Sequence, residues 1–197
     1  MLEDDPYYFL SFPSQQPQPS FFSMDTEQRV IRLDSFSKVM SAGIRIGFAT
    51  GPAALMSKIE QSMQYSVLHA NSLAQVMLLA LLQKWGPAGW DAHVHQVKEL
   101  YAGRAKMFEE IARQYLGDSA EWTSPTAGMF VWINLKKVPD TKDLVQQKAR
   151  EKKVLMVPGA MFFGEENGRI SSFVRTAYST ASKEDMEEAF KRLSSLL

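Results

Sequence analysis

Reactive side chains are most concentrated in the stretch Asp34-Ser35-Phe36-Ser37-Lys38-Val39-Met40-Ser41-Ala42-Gly43-Ile44-Arg45-Ile46-Gly47. Ser35, Ser37, Lys38, Gly43 and Arg45 fall within 13 residues, at the exit of a predicted strand. Hydroxyls and a guanidinium can converge on a phosphate, the arginine through a bidentate grip. The neighbouring lysine is then left as a nucleophilic amine. Lysines with cationic or desolvating surroundings form Schiff bases with carbonyl cofactors. A phosphate cradle beside an amine nucleophile points to pyridoxal phosphate.

Two other places carry candidate chemistry. The chain opens with an acidic, turn-like Asp4-Asp5-Pro6-Tyr7-Tyr8, where most domains have a loose end. Far downstream, Phe173-Val174-Arg175-Thr176-Ala177-Tyr178 sets an arginine inside an otherwise apolar strand. A buried guanidinium must be paired, and a substrate α-carboxylate held bidentately is a fitting partner.

The pattern S-x-S-K-x-x-x-x-G-x-R-x-G resembles the lysine motif of the class I/II, fold-type I aminotransferases. The resemblance implies that Lys38 holds pyridoxal 5'-phosphate as a Schiff base and is the catalytic residue. It implies that Ser35, Ser37 and Arg45 bind the phosphate. It also implies that Asp5 faces the protonated ring nitrogen, that Tyr8 reaches the ring oxygen, and that Arg175 takes the substrate carboxylate. Asp4 competes with Asp5, but successive strand residues point to opposite faces, and the three-residue step to Tyr8 selects Asp5. Pro125-Thr126-Ala127-Gly128-Met129-Phe130-Val131-Trp132, and then Val154 to Gly159 with Phe162, match the family in order. Leu2 to Phe12, the Lys38 segment, Leu68-His69 and Ala92-His93-Val94 are most similar to its kynurenine/2-aminoadipate branch. The implied activity is transamination between such an amino acid and a 2-oxo acid. A homodimer and a mitochondrial or cytoplasmic compartment are implied in the same way.

Composition narrows the alternatives. The 197 residues carry 22 Lys+Arg against 22 Asp+Glu, so no net field is available to hold nucleic acid or an anionic membrane. With 45% hydrophobic and 22% charged residues the chain reads as folded. The absence of cysteine removes disulfides, thiolate metal sites and cysteine nucleophiles together. The longest apolar run, Val76 to Leu82, is far short of the ~20 residues a spanning helix needs. No metal site is expected: His93 and His95 do not share a helix face and read as surface histidines.

The elements that must position these groups follow from pattern. Val30–Ser35 and Ile44–Thr50 read as strands, and the proline-rich Phe12–Pro19 as a loop. Ala53–Tyr65 and Ser72–Trp85 read as helices, the second ended by Gly86-Pro87. Asp91–Leu116 is a long amphipathic helix. Met129–Leu135, Val154–Val157 and Phe173–Tyr178 read as strands, Thr141–Lys153 as a helix. Ser182 begins a final capped helix with a charged, solvated outer face. The expected fold is α/β: residues 1–105 form the C-terminal part of the large domain of a fold-type I transferase, and residues 106–197 a complete small α+β domain. The family is about twice this length, so the chain is expected to lack an N-terminal half and, alone, to bind the cofactor weakly or not at all. Two readings from other classes stay open, a non-catalytic fragment acting by interaction and the aminotransferase-like domain of a transcription regulator.

Overall fold

The computed structural model describes residues 1–16, 18–164 and 170–197. The chain divides into two compact units, Met1–Glu99 and Leu100–Leu197.

The first unit is built on a three-stranded sheet, β1 (Leu2–Asp4), β2 (Ile31–Ser35) and β3 (Gly47–Thr50), in that order. β1 runs parallel to β2, with Asp4 beside Leu33, and β3 returns antiparallel. The return starts later than the alternating Ile44–Thr50 pattern suggests. Ala42–Ile44 forms a 3-10 turn instead, and Arg45 takes a left-handed backbone (φ 52°, ψ 37°) that no strand accommodates. Gly47 reopens the strand, and only glycine fits there, since a Cβ would lie 2.7 Å from the Asp34 carbonyl oxygen.

Between β1 and β2, the loop from Phe12 carries a short helix, α1 (Phe21–Met24), capped by the Ser20 hydroxyl. Pro17 of that loop lies outside the described residues. Then come α2 (Ala53–Ser66) and α3 (Ser72–Leu116), the latter carrying the chain into the second unit. The helix that starts at Ser72 ends where the sequence predicts, since Gly86 (φ 60°, ψ −174°) breaks α3 into two helices at a kink. Only Gly86 departs from helical geometry, because proline is tolerated in the first turn of the helix that resumes there. The core of this unit comprises Leu10, Phe12, Val30, Ile31, Val39, Ile46, Leu78 and Val94, while α2 buries no residue.

The second unit has an antiparallel sheet in the order β4-β5-β7-β6, formed by β4 (Ala120–Trp122), β5 (Phe130–Leu135), β6 (Val157–Pro158) and β7 (Phe173–Ala177). β6 begins only at Val157, so most of the expected Val154–Val157 strand is a connection. The expected helix after Thr141 carries a wide π-turn over Leu144–Ala149. α4 (Lys183–Ser194) starts as anticipated, with the Ser182 hydroxyl accepting from the Asp185 N–H at 3.0 Å. Phe108 of α3 packs against Phe190 and Tyr178, ring centroids 5.1 and 5.9 Å apart, over the buried Ile133, Leu135 and Val174. No helix among the described residues is long and apolar enough to cross a membrane.

Candidate functional site

Parallel strands bring their carboxyl ends side by side, and in α/β sheets that end is where ligands are bound. Here β1 and β2 end together. The segment after β1 holds Asp5 and Tyr8. The end of β2 and the turn after it hold Ser35, Ser37 and Lys38. The approach to β3 holds Arg45. The Asp5 N–H donates to the Leu33 carbonyl at 3.3 Å, and the Phe36 N–H to the Ile46 carbonyl at 3.1 Å, tying the three segments to one edge.

Within the turn, the Ser35 hydroxyl accepts the Ser37 N–H at 3.1 Å, and Arg45 Nη1 donates to the Ser37 hydroxyl at 3.3 Å. A second bond runs from Arg45 Nη1 to the Ala42 carbonyl at 3.4 Å. Both partners are neutral, and among the described residues no carboxylate pairs with Arg45. Its charge therefore remains available to an anion. Lys38 is half-buried, with Nζ 5.6 Å from the centroid of the Tyr7 ring, and no carboxylate of the described residues neutralises it. An amine, a free guanidinium and two hydroxyls on one turn suit a phosphate ester that also bears an aldehyde. The donor set fits pyridoxal phosphate.

Asp5 is the acidic member. Burial pushes its carboxyl above the ordinary value of 3.8; Arg32 opposes this, Glu3 and Asp34 add to it, and the Tyr7 N–H lowers it. An apolar recess of about 300 Å³, lined by Phe9, Ser35, Phe36, Phe48, Leu82 and Trp90, opens beside Ser35.

His93 is not the surface histidine its spacing suggested. Its Nε2–H donates to the Val39 carbonyl at 2.8 Å, and its ring stacks on Trp85 at 4.8 Å, which fixes the residue following Lys38. The contact spans 54 residues of sequence, so no local pattern reveals it. The one sequence hint is its place on the polar edge of a helix that also presents Trp85 and Trp90. Among the described residues no cluster could hold a metal ion.

Arg175 belongs to the second unit, opposite Trp132 in the β5–β7 register. It is half-buried rather than enclosed, and no carboxylate of the described residues pairs with it. Its guanidinium instead lies 4.4 Å from the Phe130 ring and 4.9 Å from the Phe162 ring. Trp132 and Phe173 stack beside it at 5.5 Å. Stacking occupies the planar face and leaves the N–H edge for an incoming carboxylate.

Residues 2–193 match the family model described as aminotransferase class I and II. The whole chain is 44% identical to the mitochondrial kynurenine/alpha-aminoadipate aminotransferase of Mus musculus and covers 46% of it. It is 34% identical to the aminotransferase tdiD of Emericella nidulans, covering 47%. Among solved structures, the alpha-aminoadipate aminotransferase of Thermus thermophilus, complexed with N-(5'-phosphopyridoxyl)-L-leucine, superposes with a TM-score of 0.88 at 32% identity. That match covers 99% of this chain and 49% of the other. The chain thus spans about half the length of the relatives it matches.

Proposed function

The chain belongs to the aminotransferase class I and II family, and from that premise we propose that it carries the lysine, ring-nitrogen and phosphate-binding groups of a pyridoxal-phosphate-dependent transaminase. The observation that carries this is the turn after β2, where Lys38 and Arg45 both lack a carboxylate partner among the described residues and the Ser37 hydroxyl already meets Arg45 at 3.3 Å.

When bound, pyridoxal phosphate supplies an aldehyde and an electron-accepting ring. Ser35, Ser37 and Arg45 hold its phosphate, the guanidinium contributing charge and direction. Asp5 keeps the ring nitrogen protonated, and Tyr8 donates to the ring oxygen. Lys38 provides the amine that holds the aldehyde. As a free amine, Lys38 would move the proton at the substrate α-carbon as general base and then acid. Arg175 binds the substrate α-carboxylate.

The substrates are an amino acid and a 2-oxo acid, with 2-aminoadipate or kynurenine favoured by the named activity of the murine relative. The aromatic surroundings of Arg175 suit a flat or extended side chain. A homodimer, and a mitochondrial compartment like that of the murine relative, complete the proposal.

Incubation of the chain with excess pyridoxal phosphate, borohydride reduction and peptide mapping test it. The excess offsets the weak binding expected of the chain alone, and the expected result is phosphopyridoxylation of Lys38 ahead of exposed lysines such as Lys58. Labelling spread evenly over surface lysines would overturn the proposal.

A further inference from the structure

One buried cation stands between the two residues assigned to the cofactor ring. Arg32 lies on β2 beside Glu3 of β1, and its side chain is 9% exposed. Its guanidinium forks onto Asp34, with Nε–Oδ2 2.9 Å, Nε–Oδ1 3.2 Å and Nη2–Oδ1 3.0 Å. Nη1 sits 3.3 Å from Glu3 Oε1, an ion-pair contact without hydrogen-bond alignment. Nη2 is 3.7 Å from Asp5 Oδ2, and the guanidinium carbon is 4.5 Å from the centroid of the Tyr8 ring.

The three carboxylates do not stand equally. Asp34 takes the bidentate bond. Glu3 also accepts the Phe21 and Phe22 N–H groups at 2.9 and 3.0 Å, at the start of α1. Asp5 has the longest contact, and its side chain is 38% exposed against 7% for Asp34 and 9% for Glu3. One guanidinium cannot neutralise three carboxylates. The one left least paired and most open is the one that a cationic ring N–H would meet.

We propose that Arg32 is a positioning residue for the reaction, using one guanidinium to hold the Asp5 carboxylate ionised and oriented and to fix the plane of the Tyr8 ring. This rests on the roles given above to Asp5 and Tyr8. The charged groups facing Asp5 are Arg32 and Asp34 from β2 and Glu3 from β1. Of these only Arg32 favours the ionised form.

The test uses the full chain with Arg32→Gln and Arg32→Lys, each checked for an unchanged amide NMR fingerprint. The primary readout is the carboxyl ¹³C titration of Asp5, assigned with Asp5→Asn, which needs no cofactor. Loss of an opposite charge at this range shifts a carboxylate by about one pH unit. Arg32→Gln is expected to raise the Asp5 titration midpoint by that amount, and Arg32→Lys, which keeps the charge but loses the fork, by less than half of it. A purely structural arginine would leave the midpoint in place. If Arg32→Gln does not fold, Arg32→Lys is read alone, and a midpoint above wild type supports the proposal. A midpoint equal to wild type in Arg32→Gln, or in Arg32→Lys where that variant is read alone, overturns it. Lys38 phosphopyridoxylation, followed in parallel, separates the two claims: if wild type takes no label on Lys38, the functional assignment fails while the Asp5 titration still reports on Arg32.

Discussion

The two units contrast in what their sequences are used for. Leu100–Leu197 is rich in core, with Phe108, Ile133, Leu135, Val174, Tyr178 and Leu193 all almost wholly buried. Met1–Glu99 holds six of the seven candidate site residues on a three-stranded sheet, yet its helix α2 buries nothing. Leu55, Tyr65, Val67, Leu68, Leu73, Val76 and Met77 are exposed. Reactive groups gather where the chain supplies least apolar cover, and the unit with one candidate residue, Arg175, has the denser core. Stability and chemistry are therefore separable by mutation in this chain.

The sharpest way to break that contrast is a matched pair of truncations. Phe108→Ala in the second unit is expected to cost about 3–5 kcal/mol by urea unfolding, the range for removing a buried aromatic ring. Met63→Ala on the exposed face of α2 is expected to stay within about 0.5 kcal/mol. Equal costs would mean that the first unit is packed as tightly as the second.

A smaller effect is expected at Tyr178, whose hydroxyl donates to the Gly128 carbonyl at 2.8 Å and whose burial pushes its ionisation well above the ordinary phenol value. Tyr178→Phe keeps the ring and removes that bond, for about 0.5–1.5 kcal/mol in the same measurement. A neutral result would place the second unit's cohesion in apolar packing alone.

The mildest effect lies in the first unit. The Asp25 carboxylate accepts the Glu27, Arg29 and Val30 N–H groups at 3.0, 2.7 and 2.8 Å, and these bonds hold its ionisation below the ordinary 3.8. Because the folded value is depressed, the stabilisation is present above 3.8 and lost as pH falls through the folded value. The Val30 amide shift is expected to follow that titration, with its midpoint below 3.8. A midpoint at or above 3.8 would show that the turn leading into β2 does not depend on Asp25.

Legibility follows the same division. The Lys38 segment is readable as a candidate site because its donors are contiguous in sequence and converge through one local turn. The alternation of β5 and the Ser182 cap of α4 are readable for the same local reason. Arg32 is not, since Glu3 and Asp5 reach it only through the pairing of β1 with β2, almost thirty residues apart in sequence. The His93–Val39 contact is hidden by a still longer separation. β1 and β4, of three residues each, carry too few positions for a period to show. The late start of β3 depends on the left-handed backbone at Arg45, which side-chain patterning does not encode. The apolar strand around Arg175 predicts a fully buried guanidinium, but the residue is only half-buried and no protein carboxylate among the described residues holds it. Aromatic rings from β5 and from the turn after β6 hold it instead, and strand alternation cannot report partners from other strands.

The central claim is that the turn after β2 is a phosphate cradle beside a nucleophilic amine, and not a reactive lysine on a surface. It is tested most directly by comparing borohydride-trapped labelling of Lys38 by pyridoxal phosphate and by pyridoxal, which lacks the phosphate, in the wild-type chain and in Arg45→Ala. Charge-assisted hydrogen bonds of this kind contribute about 1.5–3 kcal/mol, which is at least roughly tenfold in affinity. Wild type is expected to favour the phosphate ester by about tenfold or more, and Arg45→Ala to reduce that preference to about twofold. Equal labelling of Lys38 by both aldehydes in wild type would contradict the claim.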